Sequence, residues 1–148
     1  IGRSYAPLIE SYRMEDAEYA VMTIGSMTGA GREAVDLARS EGKHVGLLKL
    51  KTFRPFPVVA LSRAVRSIRA LGVVDRSVNY GWGTGPLYQE VLAALHVAGG
   101  QLSTVSFIGG LSGADLTVED HFRRVIEVTE QASRGDVTPE TIWLNEQG

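Results

Sequence analysis

Four short apolar runs are separated by stretches with helical periodicity, and this alternation constrains the chain more than any other feature. Tyr19–Ile24 (YAVMTI), Val45–Leu50 (VGLLKL), Val73-Val74 with its neighbours, and Thr104–Ile108 read as strands. Their near-continuous apolar character is that of strands covered on both faces. Between them, Arg32–Ser40 has Ala34, Leu37 and Ala38 on one face, and Gly42 stands where a helix should end. Val58–Ala70 places Leu61, Val65 and Ile68 on one face and Arg63, Arg66 and Arg69 on the other. Leu87–Ala98 turns Leu87, Val91, Ala94, Leu95 and Ala98 inward. A last helix starts near Thr117, whose hydroxyl can cap it with Asp120 three residues on, and buries Phe122, Val125, Ile126 and Thr129. The pattern predicts an α/β fold with three α/β/α layers and a mainly parallel, mixed sheet of about five strands. The fifth strand is expected in the leading segment or in the tail.

The organisation read from this pattern is a connector over residues 1–18, an α/β domain over 19–132 and a tail over 133–148. Ile142-Trp143-Leu144 is expected to dock. At 148 residues the chain is long enough for one domain with a proper core. Its first residue is Ile1 and no signal pattern precedes the domain. The expectation is therefore a segment cut or processed from a longer chain.

Composition narrows the function classes. The net charge of −2 gives no electrostatic case for nucleic acid or an anionic membrane. No apolar run approaches the ~20 residues of a membrane span. There is no cysteine, so the chain has no disulfide, thiolate nucleophile or thiolate ligand for a cluster. A cytoplasmic location is expected. His44, His96 and His121 are far apart and form no ligand pair, so no metal site is expected. No spacing supports a Ser-His-Asp set or a carboxylate pair, and no catalytic residue is assigned.

Four turns at strand ends carry the contact chemistry. Gly25-Ser26-Met27-Thr28-Gly29-Ala30-Gly31 follows a strand and opens a helix, where backbone N–H groups and the helix dipole attract anions. Ser26, Thr28 and Gly29 are its candidates. The spacing is similar to the cofactor loop of short-chain dehydrogenases. Lys49, Lys51 and Arg54 stand where a ribose-binding acid is usual and would suit a 2′-phosphate instead. The Tyr-x-x-x-Lys pair of those enzymes is absent, since Thr84 and Leu92 follow Tyr80 and Tyr88 at the fourth position.

The second turn is Phe53-Arg54-Pro55-Phe56-Pro57. Pro55 pushes Arg54 towards an extended backbone, and Pro57 suits the start of a helix. Arg54 then stands on a stiff pedestal to grip a carboxylate or phosphate, to fix a subunit contact, or to cap a neighbouring carbonyl. Phe56 is its aromatic companion. The third turn, Asn79–Pro86, carries Tyr80 and Trp82 among glycines, either for a partner surface or as a lid on the core. Gly109–Leu116, with Gly110 and Asp115, could hold an anion or pack at a subunit boundary. Asp75-Arg76 reads as a local ion pair.

Taken in order, these motifs resemble the 2-oxoacid:ferredoxin oxidoreductases, and within them the pyruvate:ferredoxin oxidoreductase alpha subunit. The resemblance rests on Gly2-Arg3-x-Tyr5, Glu10-x-Tyr12-Arg13, Asp16-Ala17-Glu18, Ile24-Gly25-Ser26, Ala38-Arg39-x-Glu41-Gly42 and Val45-Gly46-Leu47-Leu48-Lys49. Phe53-Arg54-Pro55-Phe56-Pro57 is its most specific element. Val74-Asp75-Arg76, Gly81, Gly83, Gly85 and Ile108-Gly109-Gly110-Leu111-x-Gly113-x-Asp115 complete it.

The resemblance implies a transketolase C-terminal-like domain with one antiparallel edge strand. The whole enzyme would decarboxylate a 2-oxoacid, pyruvate first, on thiamine pyrophosphate with magnesium. It would pass electrons through iron–sulfur clusters to ferredoxin and form an acyl-CoA. This chain lacks the GDG-type diphosphate motif and cluster cysteines, so it is expected to bind none of these cofactors alone. Its partners would be the thiamine-binding and iron–sulfur domains or subunits, and its role an interface. Two other readings stay open: an NADP-binding oxidoreductase domain using Gly25, Gly29 and Gly31, and a pure interaction module using the exposed aromatics.

Overall fold

The computed structural model describes residues 8–79, 81, 83–99, 101–111, 116–137 and 140–144. In chain order the elements are β1 (Ile9–Tyr12), β2 (Tyr19–Ile24), α1 (Thr28–Ser40), β3 (Val45–Leu50), α2 (Val58–Ala64), β4 (Ala70–Asp75), α3 (Pro86–Ala98), β5 (Ser103–Ile108), α4 (Arg123–Ser133) and β6 (Ile142–Trp143). A 3-10 turn, Gly25–Met27, precedes α1, and a π turn, Val118–Phe122, precedes α4.

The six strands form one sheet in the order β1-β3-β2-β4-β5-β6. β2 runs parallel to β3 from Tyr19 opposite Val45 to Ile24 opposite Leu50. β2 also pairs parallel with β4, and β4 with β5. β1 is the antiparallel edge, Ile9 facing Leu50, and β6 adds a short parallel pairing to β5. Both places offered for an extra strand are therefore used.

Helices cover both faces. On one, α1 and α4 pack on Tyr19, Val21, Val45, Leu47, Val105 and Phe107 through Ala34, Val35, Ala38, Val125 and Ile126, with Phe122 of the π turn. On the other, α2 and α3 pack on Ala20, Met22, Leu48, Leu71 and Val73 through Leu61, Val91, Ala94 and Leu95. Alternate strand residues feed alternate layers, as the pleat requires.

The structure corrects several sequence expectations. α1 begins at Thr28 rather than Arg32. A side chain at Gly31 would press on Leu47 (3.3 Å) and Phe122 (3.5 Å), so this glycine serves close helix packing rather than a loop. Within α1, Leu37 is 39% exposed and Val35 takes the inward position. α2 ends at Ala64, not Ala70. The Arg69 N–H already donates to the Glu18 carbonyl (2.8 Å), and the Ser103 N–H donates to the Arg69 carbonyl, which brings the chain into the sheet from Ala70. Val65 and Ile68 remain buried, on the turn that follows. The third strand spans Ala70–Asp75, all buried. Ala98, expected inward, is exposed because the helix ends at Gly99 in the left-handed region (φ 75°).

Candidate functional site at the carboxyl edge of the sheet

The chain leaves β2 for β3 on one side, while β4 lies on the other side of β2. The carboxyl ends of β2 and β4 therefore flank a topological switch point, the usual place for a ligand crevice in an open parallel sheet. The topology brings the turns after β3, β2, β4 and β5 to this one edge, and with them the residues predicted from sequence.

After β2, Gly25 turns the chain with φ 77°. The hydroxyls here are satisfied by one another. The Thr28 Oγ1 donates to the Gly25 carbonyl (3.0 Å), which leaves the buried Thr23 hydroxyl to donate to Thr28 Oγ1 (3.0 Å). Thr28 thus closes the turn rather than facing outward. Ser26 lies in the 3-10 turn, and Gly29 sits in the first turn of α1 with open space beside it.

Sequence reading missed the chief residue of this edge. Asp75 is 2% exposed and is not an ion-pair residue of the surface. Its carboxylate accepts from the backbone N–H of Leu87 (2.7 Å) and Tyr88 (3.0 Å), in the first turn of α3. Burial pushes the carboxyl up to about 6, against the opposing pull of those two N–H groups. Gly85 lies directly against it, and a Cβ there would fall 2.0 Å from the Asp75 Cγ. The signal was present in the sequence: a strand-end acid, then glycine and proline at the next helix start. The loop between is tied to the same helix. The Asn79 N–H donates to the Thr84 carbonyl (2.8 Å), the Asn79 amide donates to Gln89 Oε1, and the Gln89 amide donates to Thr84 Oγ1 (2.9 Å). Tyr80, Trp82 and Asp115 lie outside the described residues.

The turn after β3 leans on α3. The Arg54–Pro55 peptide bond is cis. Arg54 reaches Glu90 of α3 (Nη2 to Oε1, 2.6 Å), stacks over the Phe53 ring at 4.4 Å and donates to the Phe53 carbonyl (3.1 Å). Phe53 and Phe56 meet edge to face, with centroids 6.2 Å apart, and both pack on the α2/α3 core. Phe53, Arg54, Asn79, Pro86, Gln89, Glu90 and Ala93 line a shallow cleft of about 280 Å³ between this turn and α3. The Arg54 side chain stays 65% exposed, so its pairing leaves it accessible. After β5, Gly110 adopts φ 75°, and Gly109 is held close to Leu116 and Leu144.

Two of the three cations expected for a 2′-phosphate, Lys51 and Arg54, are held in ion pairs. Glu10 on β1 pairs with Lys51 (3.5 Å) and Arg32 (2.7 Å), while Arg54 is engaged by Glu90. No three His, Cys, Asp or Glu residues among those described converge on a metal position. The sequence has no cysteine to ligate an iron–sulfur cluster.

A doubly wound α/β domain with one antiparallel edge, its strand-end turns gathered at a single sheet edge, is the class this geometry defines. Residues 17–121 match the family described as pyruvate:ferredoxin oxidoreductase core domain II, and the chain belongs to that family. It is 55% identical over 148 residues to the alpha subunit of NADH-dependent phenylglyoxylate dehydrogenase from Aromatoleum evansii, covering 99% of this chain and 35% of that protein. It is 32% identical over 144 residues to pyruvate synthase subunit PorA of Methanosarcina barkeri, and 36% identical to ketoisovalerate oxidoreductase subunit VorA of Pyrococcus horikoshii. Each of those alignments covers 97% of this chain and 36% of the relative. The chain thus spans about a third of the length of these curated relatives. Among solved structures, 2-oxoglutarate:ferredoxin oxidoreductase from Magnetococcus marinus, with 2-oxoglutarate, coenzyme A and succinyl-CoA bound, superposes with a TM-score of 0.58. The match has 20% identity and covers 83% of this chain and 20% of that one, so it supports the fold. No helix among the described residues is long and apolar enough to cross a membrane.

Proposed function

We propose that this chain is the second domain of the alpha subunit of a thiamine-diphosphate-dependent 2-oxoacid oxidoreductase. The whole enzyme would convert a 2-oxoacid and CoA to acyl-CoA and CO2, with the electrons reducing ferredoxin. Within it this domain supplies contact surfaces rather than reacting groups. The observation that carries the reading is the family match over residues 17–121, with the Phe53–Pro57 turn inside it. Thiamine diphosphate, magnesium, clusters and CoA would be held by other domains or subunits, and a cytoplasmic location goes with this role. Arg54 and Phe56, beside the α3 cleft, are the first candidates for a domain or subunit contact. Ser26, Thr28, Gly29 and Gly110, at or next to turns of the same sheet edge, stay candidates with them. Tyr80, Trp82 and Asp115 stay candidates on sequence grounds. The domain is centred on residues 19–132, with 1–18 and 133–148 as its flanking connector and tail.

Pyruvate is the substrate of the first reading. An aromatic 2-oxoacid is the second, favoured by 55% identity to the phenylglyoxylate dehydrogenase subunit against 32% and 36% to the PorA and VorA subunits above. The test is a CoA-dependent dye- or ferredoxin-reduction assay of the complete enzyme with pyruvate and with phenylglyoxylate. The larger kcat/KM selects the substrate, and turnover of no 2-oxoacid overturns both readings.

A further inference from the structure

The two helical layers differ on the sides turned away from the sheet. α3 reads Pro-Leu-Tyr-Gln-Glu-Val-Leu-Ala-Ala-Leu-His-Val-Ala. Its inward residues Leu87, Val91, Ala94 and Leu95 are buried, and its outward arc carries two large aliphatic side chains, Leu92 (41% exposed) and Val97 (77%), with Ala93, alongside Gln89 and His96. Its acidic residue, Glu90, is engaged by Arg54. Val59 on the adjoining α2 is 64% exposed. Large aliphatic side chains this exposed, on neighbouring helices of one layer, are candidates for a contact surface. α1 and α4 are more charged outward: beside the half-exposed Leu37 they carry Glu33, Asp36, Arg123, Arg124 and Glu127.

We propose that the outer face of α3, together with Val59 of α2, is the docking surface for the rest of the same alpha subunit, an inference that rests on the family reading above. In these relatives the matched segment makes up 35–36% of the subunit. Nearly two thirds of an alpha subunit of that length therefore lies elsewhere in the polypeptide. A few large apolar side chains present a patch on the order of a few hundred Å². That is small against the ~1,000 Å² that separate molecules need for stable association. A tethered neighbour has no comparable loss of translational freedom to overcome, and contacts between domains of one chain are accordingly smaller and weaker. The patch continues into the Phe53–Glu90 cleft, where Arg54, 65% exposed, is positioned at the rim for a carboxylate of that neighbour. The occupant is an apolar surface with an acidic margin.

The test uses the complete alpha subunit carrying Val97→Cys, a uniquely placed thiol within these 148 residues because they contain no cysteine. Alkylation of Cys at this position by N-ethylmaleimide is followed by peptide mass spectrometry, in buffer and in urea. The expected result is a rate at least ~10-fold slower in buffer, unaffected by dilution and by the other subunits. A rate within about twofold of the urea-unfolded chain overturns the proposal. Protection that vanishes on dilution assigns the face to a second copy, and protection that needs the other subunits assigns it to them; either result overturns the intrachain occupant. Leu92→Cys serves as the reporter if Val97→Cys does not accumulate. Activity of the wild-type enzyme is read separately. A freely reactive thiol in an enzyme that turns over 2-oxoacid removes this face alone, whereas absence of 2-oxoacid turnover removes the reading beneath it.

Discussion

The α1/α4 layer and the α2/α3 layer cover one sheet with comparable cores but finish differently at the surface. In the first, charged side chains are tied across elements. Arg39 of α1 donates to the Val45 and Arg13 carbonyls (2.8 and 2.7 Å) and pairs with Asp16 (2.6 Å). Tyr19 reaches from the sheet to Glu130 of α4 (2.8 Å), and burial, followed by that hydrogen bond, raises its phenol well above the usual range. In the second layer α3 exposes Leu92 and Val97 among polar residues, and the links run to loops: Asp75 to its first turn, Gln89 to the Asn79 loop, Arg54 to Glu90. One layer is finished against water. The other joins the contact turns at the carboxyl edge to a face suited to burial. The same core physics thus serves a side finished by charged links and a side proposed above for docking.

Substitutions on each side sharpen this contrast. The largest effect is expected for Gly85→Ala, because the methyl group would fall 2.0 Å from Asp75 Cγ at the root of α3. Overpacking of this kind should cost about 3 kcal/mol, read from urea unfolding. A loss under about 0.5 kcal/mol would show that this corner yields and that α3 is not rigidly anchored.

Asp75 supplies the next test. Its folded-state value is about 6 against an ordinary 3.8, so the folded chain holds this proton more tightly than the unfolded chain. The stability it contributes is complete below pH ~4 and is lost as pH rises through about 6. Relative to Asp75→Asn, which does not titrate, the wild type should lose on the order of 2 kcal/mol between pH 4 and pH 7. Urea melts at both pH values measure the gap. A gap that widened in favour of the wild type with rising pH would mean that the two N–H groups outweigh burial.

On the solvent side, Thr117→Ala removes the hydroxyl that accepts from the Asp120 N–H (3.1 Å) ahead of α4. About 1 kcal/mol should be lost, with no effect on subunit assembly. The smallest stability effect belongs to Arg54→Ala. Its ion pair with Glu90 is 65% exposed on the arginine side, and such pairs are worth under about 1 kcal/mol. Assembly of the complete enzyme, followed by size-exclusion chromatography, should weaken more than folding does. An unchanged complex with a large loss of stability would reverse the role given to Arg54.

Much of the fold was legible from period and punctuation. The apolar runs became β2 to β5, Gly42 followed α1, and Thr117 capped the turn before α4. What escaped depended on contacts distant in sequence. β1 has only four residues and becomes a strand because β3 offers it a free edge. Gly29 and Gly31 read as loop residues until the packing of Gly31 on Leu47 and Phe122 explains a helix there. α2 stops early because the sheet captures Arg69 and Ala70, which no local signal announces. At the candidate site, the chain alone made Arg54 conspicuous but concealed Glu90, its partner. Asp75 looked like a surface acid because its neighbour is Arg76, whereas its hydrogen-bond donors lie 12 and 13 residues away.

The most direct test of the account is Val97→Glu in the complete enzyme, with assembled material isolated first and its kcat for 2-oxoacid oxidation then measured. If this domain supplies surface rather than chemistry, the assembled fraction falls several-fold while the kcat of what assembles stays within about twofold of wild type. Full assembly with kcat lowered tenfold or more would contradict the account and place this helix in the catalytic cycle itself.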